Sequence, residues 1–233
     1  MNQRAGHGFS VGHAVDWNLA ATFGSKLARP EPPATDYTRR QVIEQLTQAA
    51  RASELPVREV TGLAEGGGIP EARIVNRPEW IRAAARSMRV MTGGGQDGDA
   101  KPRAITGRIA GVQTGAVLAF VSSGILGQYD PFAAAGQEHG ANGGELLLVY
   151  PNVIAVERQL RVVPADFRMW VCLHEVTHRV QFRANPWLAG HMSGALAVLT
   201  DDGGDDVAQV VGRLAEYVRD RRSVSKGAVG EAN

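Results

Sequence analysis

A single cysteine occurs in 233 residues, which excludes an internal disulfide framework and any Cys-rich zinc module. Aromatic residues are scarce at 6%, while glycine is plentiful at 28 residues, which points to a small-residue core with Gly-rich loops. Neither sign of charge dominates. The 25 Lys and Arg against 24 Asp and Glu leave +1, so no global field draws the chain to nucleic acid or to an acidic membrane. The opening MNQRAGHGFSVGHAVDWNLA has no apolar run of signal-peptide length, so the cytoplasm is the expected compartment, and the lone thiol agrees with a reducing one. No internal repeat is found. Ile109 to Leu126 carries no charge and approaches the roughly 20 residues of a membrane span, but Gln113, Thr114, Ser122, Ser123 and several glycines lower its apolarity, and no span is expected. What remains is ordinary for a folded protein. With 44% hydrophobic and 21% charged residues, the chain is long enough to bury one sizeable core.

Periodicity and punctuation suggest the elements. Residues 1–14 and 223–233 read as flexible tails around a domain over 15–222. Val15–Ala28 is a short helix broken by Pro30, Pro32 and Pro33. Thr35–Ser53 is a helix with Val42, Ile43, Leu46 and Ala50 on one face. Val57–Leu63 alternates like a strand. Arg73–Asn76 is a short strand, and Pro78 lies in the first turn of a helix reaching Met91. Residues 93–102 form a loop. Gly107, Gly111, Gly115, Ala119, Ser123 and Gly127 recur at fourfold spacing, a small-residue stripe suited to close approach of another helix; a lipid-facing dimer face is the weaker reading. A turn over 127–131 precedes a Gly-rich loop over 136–144. Glu145–Tyr150 is a buried strand, with a sheet edge that accepts a peptide as the weaker reading. Pro151 and Asn152 turn the chain, and Val153–Glu157 is either extended or the start of a helix. Pro164 opens a central helix to about Arg183, which Asn185-Pro186 stops. Helices follow over Trp187–Leu199 and Val207–Arg222, separated by an acidic turn.

The central helix contains His174-Glu175-Val176-Thr177-His178, an HExxH motif. Four residues of helix rotate about 400°, so both histidines project from one face. Two imidazoles at that spacing can chelate one Zn²⁺ at about 2.0–2.1 Å. Glu175 lies about 100° around the helix, beside the metal rather than on it. It is placed to act as general base on a zinc-bound water, whose pKa the ion lowers to about 7. In a chain with six histidines, such a motif arises by accident about once in a hundred sequences, and its mid-helix position between Pro164 and Asn185 lowers those odds. A third protein ligand is needed. Gln181-Phe182-Arg183-Ala184 does not supply the His that a metzincin-type motif would. Glu216 is the in-chain candidate, although a solvated surface carboxylate is its commoner role. His191, Asp201, Asp202, Asp205 and Asp206 are weaker candidates. Tyr129 is weighed as an oxyanion donor against a plain turn aromatic. Cys172 reads as a small core hydrophobe, and Trp170 and Trp187 as packing around the motif.

The string DFRMWVCLHEVTHRVQFRANPWL at 166–188 resembles the zincin-like metallopeptidase family associated with deazaflavin coenzyme biosynthesis. VDWNLA at 15–20, VREVTGL at 57–63, NRPEW at 76–80, SSGILGQYDPF at 122–132 and LLLVYPNVIAVER at 146–158 are similar to it too. The resemblance implies an α+β, mainly helical zincin-like fold with a small sheet beside the HExxH helix. It implies His174 and His178 as zinc ligands and Glu175 as base. Family members continue into a later helix with an EGH-type segment, which this chain lacks. Three functions follow. The first is a zinc-dependent peptidase or amide hydrolase acting on peptide or protein. The second is a non-catalytic zincin-like binding module, because a third ligand is not evident. The third is a helical interaction or membrane-associated protein built on the small-residue stripe. The oligomeric state is not read from the sequence.

Overall fold

The computed structural model describes residues 15–63, 68–92, 105–133 and 144–201. The expected tails, the loops over 93–102 and most of 136–144, the helix Val207–Arg222, and with it Glu216, Asp202, Asp205 and Asp206 lie outside the described residues.

Seven helices and three strands are described: α1 (Trp17–Leu27), α2 (Asp36–Thr61), β1 (Ala72–Val75), α3 (Arg77–Met91), α4 (Thr106–Val121), β2 (Gly127–Asp130), β3 (Glu145–Val149), α5 (Tyr150–Leu160), α6 (Pro164–Ala184) and α7 (Trp187–Asp201). The protein is therefore mainly helical with one small sheet, as the sequence implies.

The strand order is β1-β3-β2. β1 runs parallel to β3 with Ile74 opposite Leu148, and β2 runs antiparallel to it with Tyr129 opposite Leu146. β3 is thus the centre of the sheet. Its unbroken Leu146-Leu147-Leu148-Val149 run follows from having both faces covered. Leu147 and Val149 join Trp80, Ile81 and Leu118 of α3 and α4. Leu148 joins Val42, Leu46, Ile154, Val171 and Cys172, and Leu146 joins Val57, Val176 and Val180. Helices α2, α5 and α6 therefore cover one face, and α3 and α4 the other.

Local signals hold in several places. Asn76 accepts from Glu79 N while Glu79 accepts from Asn76 N, a complete capping box with Pro78 in the first turn of α3. The small-residue stripe of α4 faces α1 in the protein interior. A Cβ at Gly115 would lie 2.6 Å from Ala20 O, and one at Gly24 would lie 2.7 Å from Gly115 O, so the two backbones touch. The stripe ends with the helix at Val121; Ser123 falls in the following turn and Gly127 in β2. No helix among the described residues is long and apolar enough to cross a membrane.

Three expectations are corrected. Val57–Leu63 is not a strand. α2 runs through it with Pro56 inside the helix, because Val57 continues the buried Leu46, Ala50, Ser53 face onto α6 and Glu54 holds Arg58 one turn on. Gly62 is the helix cap, left-handed at φ 64°, with its N–H on Arg58 O. Gly127–Asp130 is a strand rather than a turn, held by pairing with residues that follow much later. Glu145–Val149, by contrast, is the buried strand the sequence indicates, and the weaker sheet-edge reading falls. Pro151 lies in the first turn of α5 instead of turning the chain away.

Candidate metal centre

α6 begins with Pro164 in its first turn and ends where Asn185 returns its N–H to Gln181 O. Its buried side carries Arg168, Val171, Cys172, Glu175, Val176, Arg179 and Val180. His174 and His178 lie on the exposed side, with ring centroids 4.9 Å apart and planes at 89°. A tetrahedral zinc bound at about 2.0–2.1 Å by one nitrogen of each ring would hold the two centroids about 5 Å apart. The observed 4.9 Å matches that separation. Neither imidazole is hydrogen-bonded to another described residue, so their nitrogens are available as ligands. The Trp170 indole stacks on the His174 ring at 6.0 Å and 23°, and Phe167 stacks on Trp170 at 6.1 Å.

Glu175 lies on the buried side of α6 and is 8% exposed. Burial pushes its carboxyl up to about 7. Its side chain lies against Gly127 of β2. The two faces of β2 explain this contact. Gln128 and Asp130 face α3, where Trp80 Nε1 donates to Gln128 at 2.9 Å and Ser87 Oγ to Asp130 at 2.7 Å. Gly127 and Tyr129 face α6, the first against Glu175 and the second against Phe182 at 5.5 Å between ring centroids. The outer edge of β2 has no partner strand among the described residues.

Two ion pairs fix α6 from behind. Arg179 donates through Nε to Glu54 at 3.1 Å and through Nη1 to Pro70 O at 3.0 Å, while the other Glu54 oxygen accepts from Arg58. Arg168 donates twice to Glu157, at 3.0 and 2.7 Å, and once to Gln45. No buried side-chain nitrogen or oxygen among the described residues lacks a partner.

The remaining candidates are distributed as follows. Cys172 is fully buried, its thiol pushed up to about 12 by burial, and is a core hydrophobe as expected. The Tyr129 hydroxyl accepts from the Gly144 backbone, and its ring packs Phe182 of α6. Trp187 pairs with His191 at 5.9 Å on α7 instead of packing the motif. Among the described residues no group of three or more His, Cys, Asp and Glu gathers as a ligand set, so His191 does not complete the pair; the Asp201 side chain lies outside those described. Sequence reasoning assigned Gly127 to the small-residue stripe and a turn, and passed over Glu54 and Arg179. The available signal was a glycine inside a strand, which marks a close approach, but β2 itself is not legible.

A family model described as zincin-like metallopeptidase matches residues 15–229. A comparison with proteins of curated function finds no match. A solved structure from Chloroflexus aurantiacus, described as a candidate hydrolase with a novel fold, is similar at TM-score 0.59 and 26% identity, over 81% of this chain and 59% of that one. This chain thus spans under two thirds of that protein's length.

Proposed function

Because the chain belongs to the zincin-like metallopeptidase family, we propose that it hydrolyses peptide or amide bonds, with a zinc ion held by His174 and His178 and with Glu175 as general base. The observation that carries this reading is the 4.9 Å separation of the two imidazoles, on a helix whose intervening Glu175 is buried. When bound, the ion supplies a Lewis acid that polarises a carbonyl and acidifies water. Glu175 accepts the proton of the attacking water and returns it to the leaving amine. Trp170 limits rotation of the His174 ring by stacking on it. An extended peptide adds to the open edge of β2, the strand that touches Glu175, through main-chain hydrogen bonds. A further ligand would come from beyond Asp201, with Glu216 as the candidate. The proposal places the activity in the cytoplasm, on peptide or protein substrates.

A second reading is favoured by one observation, the absence of a third ligand among the described residues. It is a non-catalytic zincin-like module that binds zinc and a peptide without cleaving it. Metal analysis with two variants separates the readings. The hydrolase requires near-stoichiometric zinc, its loss in His174→Ala, and in Glu175→Gln retained zinc with turnover reduced by about 10²–10⁴. Zinc present without cleavage of any member of a peptide library supports the binding module. Protein that takes up no Zn²⁺ defeats both.

A further inference from the structure

The Glu175 side chain is buried, and the residue it touches on the sheet has no side chain. A Cβ built on Gly127 would fall 2.6 Å from Glu175 Cγ, 2.8 Å from its Cδ and 3.0 Å from Leu147 O. Carbon atoms in ordinary contact lie about 3.5–4.0 Å apart, so no L side chain shares this space with Glu175 as placed. Backbone conformation does not account for the glycine. Among the described residues Gly62 is the glycine with positive φ, and Gly127 has ordinary strand geometry. What the position requires is the absence of a Cβ.

The strand cannot retreat to make room. Gly127 pairs with Leu148 at the start of β2, and the next residues are tied on the opposite face through Gln128 to Trp80 and Asp130 to Ser87. α6 cannot retreat either, because Arg168 and Arg179 hold it to Glu157 and Glu54. A Cβ at 127 would therefore displace the carboxyl-bearing end of Glu175, the part that is free to rotate.

We infer that Gly127 is a positioning residue: its bare backbone is the wall against which the Glu175 carboxyl-bearing end is seated. The inference rests on the proposed role of Glu175 as base, but the packing can be tested without it. The experiment compares Gly127→Ala in the parent chain and in a Glu175→Ala background, where Cγ and Cδ are gone. Zinc content, melting temperature and cleavage of a mixed peptide library are measured. Gly127→Ala is expected to retain zinc and to lower kcat by about 100-fold, the scale of a 1 Å misplacement. KM stays within about twofold, since what is lost is alignment in the reacting state rather than substrate binding. It lowers the melting temperature more in the parent chain than in the Glu175→Ala background, where only the approach to Leu147 O remains. Unchanged kcat in an active parent, loss of zinc with the activity, or an equal loss of melting temperature in both backgrounds overturns the inference. If the parent holds zinc but cleaves nothing, the proposed function fails, and the melting comparison alone decides whether Gly127 seats Glu175.

Discussion

Arg179 is the largest fully buried side chain in the described fold, and it directly follows the second motif histidine. Its charge is tolerated because Glu54 and the Pro70 carbonyl accept its donors. Removing Glu54 strands that cation. Glu54→Ala is expected to cost about 3–5 kcal/mol, read as a lower urea midpoint, and pairing it with Arg179→Met should recover much of the loss. Asp130 behaves differently. Burial raises its carboxyl above the ordinary 3.8, partly offset by the hydrogen bonds from Ser87 and the Phe132 N–H. The folded state then binds more protons than the unfolded one, so stability falls as pH rises from the ordinary value through the raised one. Asn at this position accepts the same two hydrogen bonds without a charge. Asp130→Asn should thus be more stable than the parent at neutral pH, and the gap should close at acid pH, as urea midpoints across a pH series would show.

At the level of elements, the α1–α4 contact is the sharpest case. Gly115→Ala gains about 1 kcal/mol of helix propensity, but its Cβ meets the Ala20 carbonyl at 2.6 Å, a backbone atom that cannot swing aside. Overpacking costs about 1–3 kcal/mol, so the net change should be destabilising, checked by thermal denaturation. What was legible follows the range of the interactions. The capping box of α3, Pro164 and Asn185 around α6, and the HExxH spacing are set by neighbours within a turn, and the sequence shows them directly. The small stripe of α4 was legible as a packing face, though not its partner. β2 was not legible, because its four residues show no apolar alternation and are organised by β3 after an intervening segment. Val57–Leu63 misled for the opposite reason. Its local alternation points to a strand, while contacts with Val176 and Val180 of α6 keep it helical. Gly127 combines both difficulties, since the reason for the glycine lies on another element.

Across the whole molecule, one sheet is sandwiched by helices, and the two histidines look outward from the layer that carries α2 and α6. α7 departs from this compactness. None of its side chains through residue 196 is buried, Trp187 is 63% exposed, and open space lies before Gly190 and Gly194. The family match nevertheless runs on to residue 229. Zinc should register at this scale as well. A ligand that binds only the folded state at 100 times its Kd adds about 2.7 kcal/mol, so Zn²⁺ should raise the melting temperature of the parent chain and leave that of a His174→Ala, His178→Ala double variant unchanged. A chelator should reverse the shift.

The ties from Arg168 to Glu157 and from Arg179 to Glu54 lie about 16 Å apart along α6, three turns on the side away from the imidazoles. The helix is thereby braced like a beam on two supports, with its working surface between and above them. Emptying and refilling such a surface requires no rebuilding of the frame beneath, so the metal-stripped protein should keep its far-ultraviolet circular dichroism and reload as fast as ions arrive.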